Sequence, residues 1–370
     1  MNPPPTPAIV RSRSSRPRPR LDQWKRSWHL LRRNTLALVG LGVLLTLLGI
    51  ALFASTLPIP WNEMSPYCSF RAAGCTYVCT YSGGAPPGPN CYPVNANFPS
   101  FIPPTLSVGT GAGQLPLGSL AQSPSSPIYY NLLSGILRGA DWSLAIAFLI
   151  VVSAAGIGIL VGGASGYFGG AVDESLMRVV DMFLSIPSLL FVIITATVFS
   201  TFTIPGLTLL ASRVLLLCLA FIVVTWPLYA RIVRGQVLVV REQKYVEAAR
   251  ASGARGPRVL FRHILPNSVY PVFIQMSLDF GGIPILVGAL AFLGFNLFGL
   301  STTQVFPEWG SLSAYSVNQF GAVFSACSIG ACVLPWWQIL FSGSMLFLLA
   351  ISVNFFADGL RDTLDPRSRR

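Results

Sequence analysis

Charge is scarce in this 370-residue chain. Asp, Glu, Lys and Arg together make up 10% of it, while 52% is hydrophobic and the mean hydropathy is +0.62. An average soluble domain carries about 25% charged residues. So few charges cannot cover a water-soluble protein of this size, and disorder requires the opposite composition. Lysine is reduced to Lys25 and Lys244, and histidine to His29 and His263. Neither lysine follows the glycines of a G-x-x-x-x-G-K-[ST] phosphate loop, which excludes ATP hydrolysis by that mechanism. The chain also lacks H-E-x-x-H and G-x-S-x-G, which leaves little material for a hydrolase. No enzymatic activity, no resident cofactor and no metal site is expected.

What is present is a series of apolar runs. Thr35–Leu57 carries no charge and is long enough to cross a bilayer, for which about 20 apolar residues suffice. Further runs cover Asp141–Gly166, Val179–Phe202, Val214–Tyr229, Val272–Phe298 and Gln338–Phe356. The expected fold class is therefore an all-α multi-pass membrane protein with six transmembrane helices. Its expected divisions are a basic tail at 1–33, a first transmembrane helix at 34–57 and an outer Pro- and Cys-containing segment at 58–138. A five-helix core at 139–358 and a tail at 359–370 complete the chain. The outer segment holds 13 of the 29 prolines and only three charged residues, Glu63, Arg71 and Arg138. It reads as irregular or short-stranded surface structure.

With the N-terminus inside, 22 of the 25 Lys and Arg residues fall on the inner side, and only Arg71, Arg138 and Arg213 lie outside. The positive-inside rule then places both termini in the cytoplasm of a cell that holds this chain in its plasma membrane. The basic excess belongs to loops beside anionic lipid, not to a nucleic-acid surface. The same sidedness places Cys68, Cys75, Cys79, Cys91, Cys327 and Cys332 in outer segments, where an oxidising compartment favours disulfides. The pairing stays open.

Within the spans, Gly158, Gly162, Gly166 and Gly170 recur every four residues, a small-xxx-small stripe that lets another helix backbone approach. Proline interrupts three spans, at Pro187, Pro227 and Pro284, and each can free a backbone carbonyl. Asp279 lies about ten residues into its span, near mid-depth. A carboxylate there is costly. It is either a functional group or one satisfied by a neighbouring helix.

The inner loop 241–267 carries the one compact motif. Its first part, around Glu242 to Ser252, has the acids early and ends at Gly253, which suits a left-handed residue after a helix. A second short helix starts with Pro257 and stops before Leu265-Pro266. Tyr245, Ala248, Ala249 and Ser252 share one face, and Arg250, Arg255, Arg258 and Arg262 supply charge.

Glu247-Ala248-Ala249, then Gly253, then Leu265-Pro266 resemble the EAA loop of binding-protein-dependent ABC importers. Several other pieces resemble the dipeptide/oligopeptide/nickel-type permeases, and their C-type subunit in particular. They are Gly166-Tyr-Phe-Gly-Gly170, Val172-Asp-Glu174, Arg178-Val-Val-Asp181, Phe261-Arg-His-Ile-Leu-Pro-Asn267, Phe292-Leu-Gly294, Pro307-Glu-Trp-Gly-Ser311, Pro335-Trp-Trp-Gln338 and the tail from Asp358 to Arg367. The resemblance covers about 116–367. It implies a MetI-like permease bundle that forms half of a peptide pathway, with a homologous B-type permease as the other half. It further implies two ATPase subunits that consume ATP and Mg, and an extracytoplasmic substrate-binding protein.

By the same resemblance, Tyr245, Glu247, Ala248, Ala249, Gly253, Arg255, His263, Leu265 and Pro266 form the ATPase-coupling surface. Gly158, Gly162, Gly166, Gly170, Asp279 and Pro284 are packing or pathway candidates. The same machinery serves oligosaccharides or nickel in similar systems, and a secondary transporter driven at Asp279 is the competing class. The chain departs from the pattern in its outer segment, where Ser119-Leu-Ala-Gln-Ser-Pro replaces the usual acidic and basic residues. It departs again at Val287-Gly-Ala-Leu, which lacks the family's Glu.

Overall fold

The computed structural model describes residues 34–54, 70–72, 75–79, 91–94, 119–121, 129–198, 202–293, 295, 307–326 and 336–364. The basic tail, most of the outer segment, the end of the C-terminal tail, Cys68, Cys327 and Cys332 lie outside these residues. The described chain is nearly all helical. Helix α1 spans Thr35–Ala54, α2 Leu132–Phe168, α3 Gly170–Leu184, α4 Ser188–Val198 and α5 Leu209–Val240. The inner loop holds α6, Lys244–Ala251, α7, Gly256–Val259, a π-helical turn, Leu260–Ile264, and α8, Leu265–Ser268. Then come α9, Tyr270–Phe292, α10, Trp309–Ala326, and α11, Trp336–Leu364.

Short strands occur only in the outer segment among the described residues. β1 (Phe70–Ala72), β2 (Cys75–Cys79) and β3 (Cys91–Val94) form an antiparallel sheet in that order, with Cys79 opposite Cys91. β4 (Ser119–Ala121) pairs with β5 (Tyr129–Asn131).

Among the described residues five helices, α1, α2, α5, α9 and α11, are long and apolar enough to cross a membrane. Their outward faces carry Leu36, Leu52, Phe148, Leu160, Phe273, Ile285 and Phe347, all exposed, as lipid contact requires. α3 and α4 supply a sixth span only if taken together, because they meet at 76°. The run 179–202 is thus not one helix. Pro187 cannot donate a helical hydrogen bond, and the chain turns at 185–187 before α4 begins. Pro227 and Pro284 behave otherwise and lie inside continuous α5 and α9. α9 ends at Phe292, short of the expected Phe298.

The centre of the bundle is the packing of α2 on α5, and it depends on missing side chains. A Cβ placed on Gly158 would lie 2.8 Å from Ala230 N, one on Gly166 2.8 Å from Val237 Cγ1, and one on Gly162 inside the carbonyl of Ala230. Gly170 is not part of this stripe. Gly169 and Gly170 take φ values of +66° and +55°, a left-handed turn that ends α2 and redirects the chain into α3. The four-residue spacing therefore describes one helix only as far as Gly166.

The remaining helices close around α2 and α5. α9 packs on α10 and α11, with the backbones of Gly288 and Gly310 in contact. Near its start α1 meets the far end of α11, where Gly40 lies against Ser352 and Phe355. Asn34 caps α1 through Ala37 N and donates to Asp362 of α11 at 3.3 Å. Leu47, Leu144, Trp309, Leu312 and Leu349 fill the space between α1, α2, α10 and α11.

Replacing Gly162 with Ala is expected to lower stability by about 1–3 kcal/mol, because no rotamer removes a Cβ from the Ala230 carbonyl. Gly156→Ala, on the open face of the same helix, is expected to be neutral. Melting of the detergent-purified protein, compared between the two variants, checks this.

Candidate functional site

The loop 241–267 is built outward from a buried anchor. Val246, fully buried, packs with Val259, Leu260, Ile264 and Leu265, which themselves lie against Val237 and Val240 of α5 and Val272 of α9. This fixes the inner face of α6 and leaves Tyr245, Glu247, Ala248, Arg250, Ser252 and Gly253 exposed, with Ala249 half-buried. The helix stops as its sequence dictates. Gly253 takes φ +80°, its N–H bonds Arg250 O at 2.9 Å, and Ala254 N–H bonds Ala249 O at 3.2 Å. That pair of bonds is the Schellman arrangement, in which a left-handed residue satisfies the last helical carbonyls.

Arg255 then caps α7, with Pro257 in its first turn. The helical path does not stop before Leu265-Pro266. It widens into a π turn, in which Leu265 N–H reaches back to Leu260 O, and continues through α8 to Ser268. Pro266 has no N–H to give, and a wider turn absorbs the irregularity. His263 and Arg262 sit in this turn, and Asn267 Nδ2 donates to His263 O at 2.7 Å. Burial raises the Tyr245 phenol above its ordinary pKa, against an opposing hydrogen bond with Asn267. The hydroxyl therefore stays protonated at neutral pH. Leu265 is buried and touches α2, where a Cβ on Gly163 would lie 2.8 Å from its Cδ2.

The loop is fastened to the ends of α2, α3 and α5. Arg250 lies 5.7 Å over the Tyr167 ring, and Gly256 leaves room for the Tyr167 hydroxyl. Arg241 Nη1 donates to Gly166 O at 2.9 Å, using a carbonyl at the end of α2. Arg234 forms a two-pronged pair with Asp173, Nε to Oδ1 at 2.5 Å and Nη2 to Oδ2 at 2.7 Å, and Ser165 Oγ donates to the same Oδ1. Arg231 pairs with Asp181 further along α3. Phe183 of α3 stacks edge-on against Trp226 of α5. The loop thus stands on three helices joined by charge and ring contacts.

Asp279 is half-buried in α9, and both its oxygens are held. Tyr229 Oη donates to Oδ2 at 2.7 Å and Gln275 Nε2 to Oδ1 at 2.8 Å. Pro284 is buried in the same helix, beneath Gly310 of α10. Neither residue touches the loop surface. Gly158, Gly162 and Gly166 bring α2 to α5, whereas Gly170 starts α3. Cys75, Cys79 and Cys91 are placed in β2 and β3.

The role of one acid escaped the sequence reading. Glu308, fully buried, caps α10 and accepts from Gly310 N at 2.9 Å, Ser311 N at 2.7 Å and Ser143 Oγ at 3.0 Å. Trp309 completes the joint, with its backbone N–H on Ser143 Oγ and its indole N–H on Ile136 O at 2.8 Å. The acid immediately before Trp-Gly-Ser was the available signal for a helix cap.

Residues 154–370 match the family described as binding-protein-dependent transport system inner membrane component. Residues 22–70 match the N-terminal transmembrane domain of oligopeptide transport permease C. The probable D,D-dipeptide transport system permease protein DdpC of Escherichia coli is 34% identical over 238 residues, 64% of this chain and 70% of that protein. The dipeptide transport system permease protein DppC of Alkalihalophilus pseudofirmus is 31% identical over 277 residues, 73% and 82% of the two chains. The oligopeptide transport system permease protein OppC of Mycobacterium bovis is 31% identical over 239 residues, 65% and 73%.

Arg234→Gln is expected to cost about 1–3 kcal/mol, since it strips two charge-assisted bonds from a largely buried Asp173. Arg178→Gln, which removes a solvent-exposed pair with Glu174, is expected to change stability by less than about 0.5 kcal/mol. Thermal melting of the two variants at low and high salt separates the contributions, because only the exposed pair is screened.

Proposed function

The chain belongs to the family of binding-protein-dependent transport system inner membrane components, and we propose that it works there as the C-type half of a peptide-importing permease. The relatives named for dipeptides and oligopeptides support peptides as its cargo, ahead of nickel or oligosaccharides. In this reading a homologous B-type permease completes the pathway, an extracytoplasmic binding protein delivers substrate, and two ATPase subunits supply the work. Both termini and the loop 241–267 face the cytoplasm, in keeping with the 22 inner cations.

The exposed face of α6 carries this proposal. A short capped helix, slim at Ala248 and Ala249 and acidic at Glu247, projects from a rigid base and suits a cleft in another protein. Arg255, Arg258 and Arg262 flank it with charge, and Phe261 adds an exposed apolar contact. ATP-driven closure of the ATPase pair would push on this helix. The base made by Val246, Tyr167 and the Arg234–Asp173 pair would pass that push into α2, α3 and α5 as rigid-body motion. Two discrete packings of the bundle, biased by nucleotide, then alternate access to the pathway. In this reading His263, Leu265 and Pro266 shape the base of the loop, while Tyr245, Glu247, Ala248, Ala249, Gly253 and Arg255 meet the ATPase.

Gly253→Val forces a β-branched residue into a left-handed conformation, at a cost of roughly 1–2 kcal/mol, and moves the end of α6. Uptake per ATP hydrolysed is expected to fall about tenfold in vesicles, that energy being worth about a factor of ten. Glu247→Lys is expected to uncouple in the same way while leaving membrane insertion intact. Unchanged uptake at normal subunit stoichiometry overturns the coupling role. Competition of labelled uptake by di- and tripeptides, nickel and oligosaccharides decides the cargo, and competition by nickel or sugar alone overturns the peptide reading.

A further inference from the structure

Tyr229 and Asp279 stand fifty residues apart in sequence, on the two helices that enter and leave the loop. α5 packs chiefly on α2, and α9 chiefly on α10 and α11; α5 and α9 meet each other along a narrower apolar seam, where Phe221 and Ile222 share a core cluster with Ile283 and Val287. Beside that seam the Tyr229 hydroxyl bonds Asp279 Oδ2, while Gln275, one turn earlier in α9, holds Oδ1. The Tyr229 side chain is fully buried, and space for it exists because Gly158 of α2 has no Cβ. One tyrosine thus touches three helices, with its Cβ against α2, its backbone in α5 and its hydroxyl on α9.

We propose that the Gly158–Tyr229–Asp279 contact is a positioning tie that holds α5 and α9 in one register, so that both arms of the loop move as a single body. The proposal rests on the coupling role assigned to α6. Without the tie, a push on α6 would reach α5 and the helices fastened to it, while α9 could lag behind. At low dielectric a hydrogen bond to a carboxylate is stronger than in water, so this bond adds a directional contact that fixes register where the apolar seam between the two helices does not. What the tie requires of residue 279 is an acceptor for the Tyr229 hydroxyl, not a charge. An Asn side chain supplies that acceptor, and Gln275 can turn its amide to meet the new N–H₂.

The test uses the complete transporter, assembled with its partner subunits in lipid nanodiscs. Spin labels carried on unnatural side chains at the exposed positions Leu219 of α5 and Ile285 of α9 spare the native cysteines. Pulsed resonance distances are read without nucleotide and with ATP plus vanadate. The wild type is expected to keep one narrow distance in both states. Tyr229→Phe and Asp279→Ala are expected to lose it to a broad or split distribution, with the double variant no worse than either single one. Asp279→Asn is expected to retain the narrow distance. Tyr229→Phe keeps the ring packing against Gly158, so a loss in that variant is not a loss of fold.

A narrow distance in Tyr229→Phe overturns the proposal. So does Asp279→Asn behaving like Asp279→Ala, which would assign the role to the carboxylate charge, as contact with a cationic group requires. Gly253→Val separates the two readings. If it leaves uptake per ATP hydrolysed unchanged in vesicles while Tyr229→Phe broadens the distance, the tie stands and the coupling role of α6 falls.

Discussion

The close approach of two backbones, α2 and α5, is the constraint from which the remaining geometry derives. In a bilayer the lipid tails are as apolar as leucine, so helices gain little from burying leucine against leucine. Contact at backbone distance recovers dispersion energy that bulkier faces forfeit. Gly158, Gly162 and Gly166 permit it only along the later turns of α2. Because the approach is so close, Tyr229 reaches α9 on one side and Arg234 reaches α3 on the other. Any residue that holds α2 away from α5 therefore disturbs contacts well beyond the stripe.

Charged groups in this chain are few, and four acids near the bundle each have a partner, whereas Asp141 Oδ1 in α2 is buried without a hydrogen bond. Asp173 has Arg234 and Ser165, Asp181 has Arg231, Asp279 has Tyr229 and Gln275, and Glu308 has two backbone N–H groups and Ser143. The cost of a carboxylate in low dielectric falls only when each oxygen is satisfied. The loop end carries paired opposite charges, and the opposite end carries a carboxylate held by N–H and hydroxyl groups. The two ends of the bundle are thus joined by different chemistry.

Much of this was legible in the residues themselves. Apolar runs located the spans, Gly253 announced its left-handed turn, Pro257 marked a helix start, and the four-residue glycine period identified the contact face of α2. The misread features depend on context that a local pattern does not hold. Gly170 keeps the period but belongs to a turn, because a second glycine beside it makes a left-handed pair possible. Pro187 breaks a helix whereas Pro227 and Pro284 do not, because neighbouring helices support the backbone around the latter two. Tyr229 looked like the end of a span, although α5 runs on for a further eleven residues to Val240. Its bond to Asp279 joins positions that no short window connects.

The widened turn at Leu260–Ile264 governs the angular phase of α9. A five-residue closure takes up one more residue than an ordinary α-helical turn. A chain shorter by one residue here would carry an ordinary turn and swing the side chains of α8 about 100° around its axis. Those of α9 would swing with them unless Val269, between the two helices, absorbed the rotation. With that swing Asp279 would face away from α5. The irregular turn sets the compass bearing of α9, and its length is as much a part of the address of that carboxylate as the helix on which it sits.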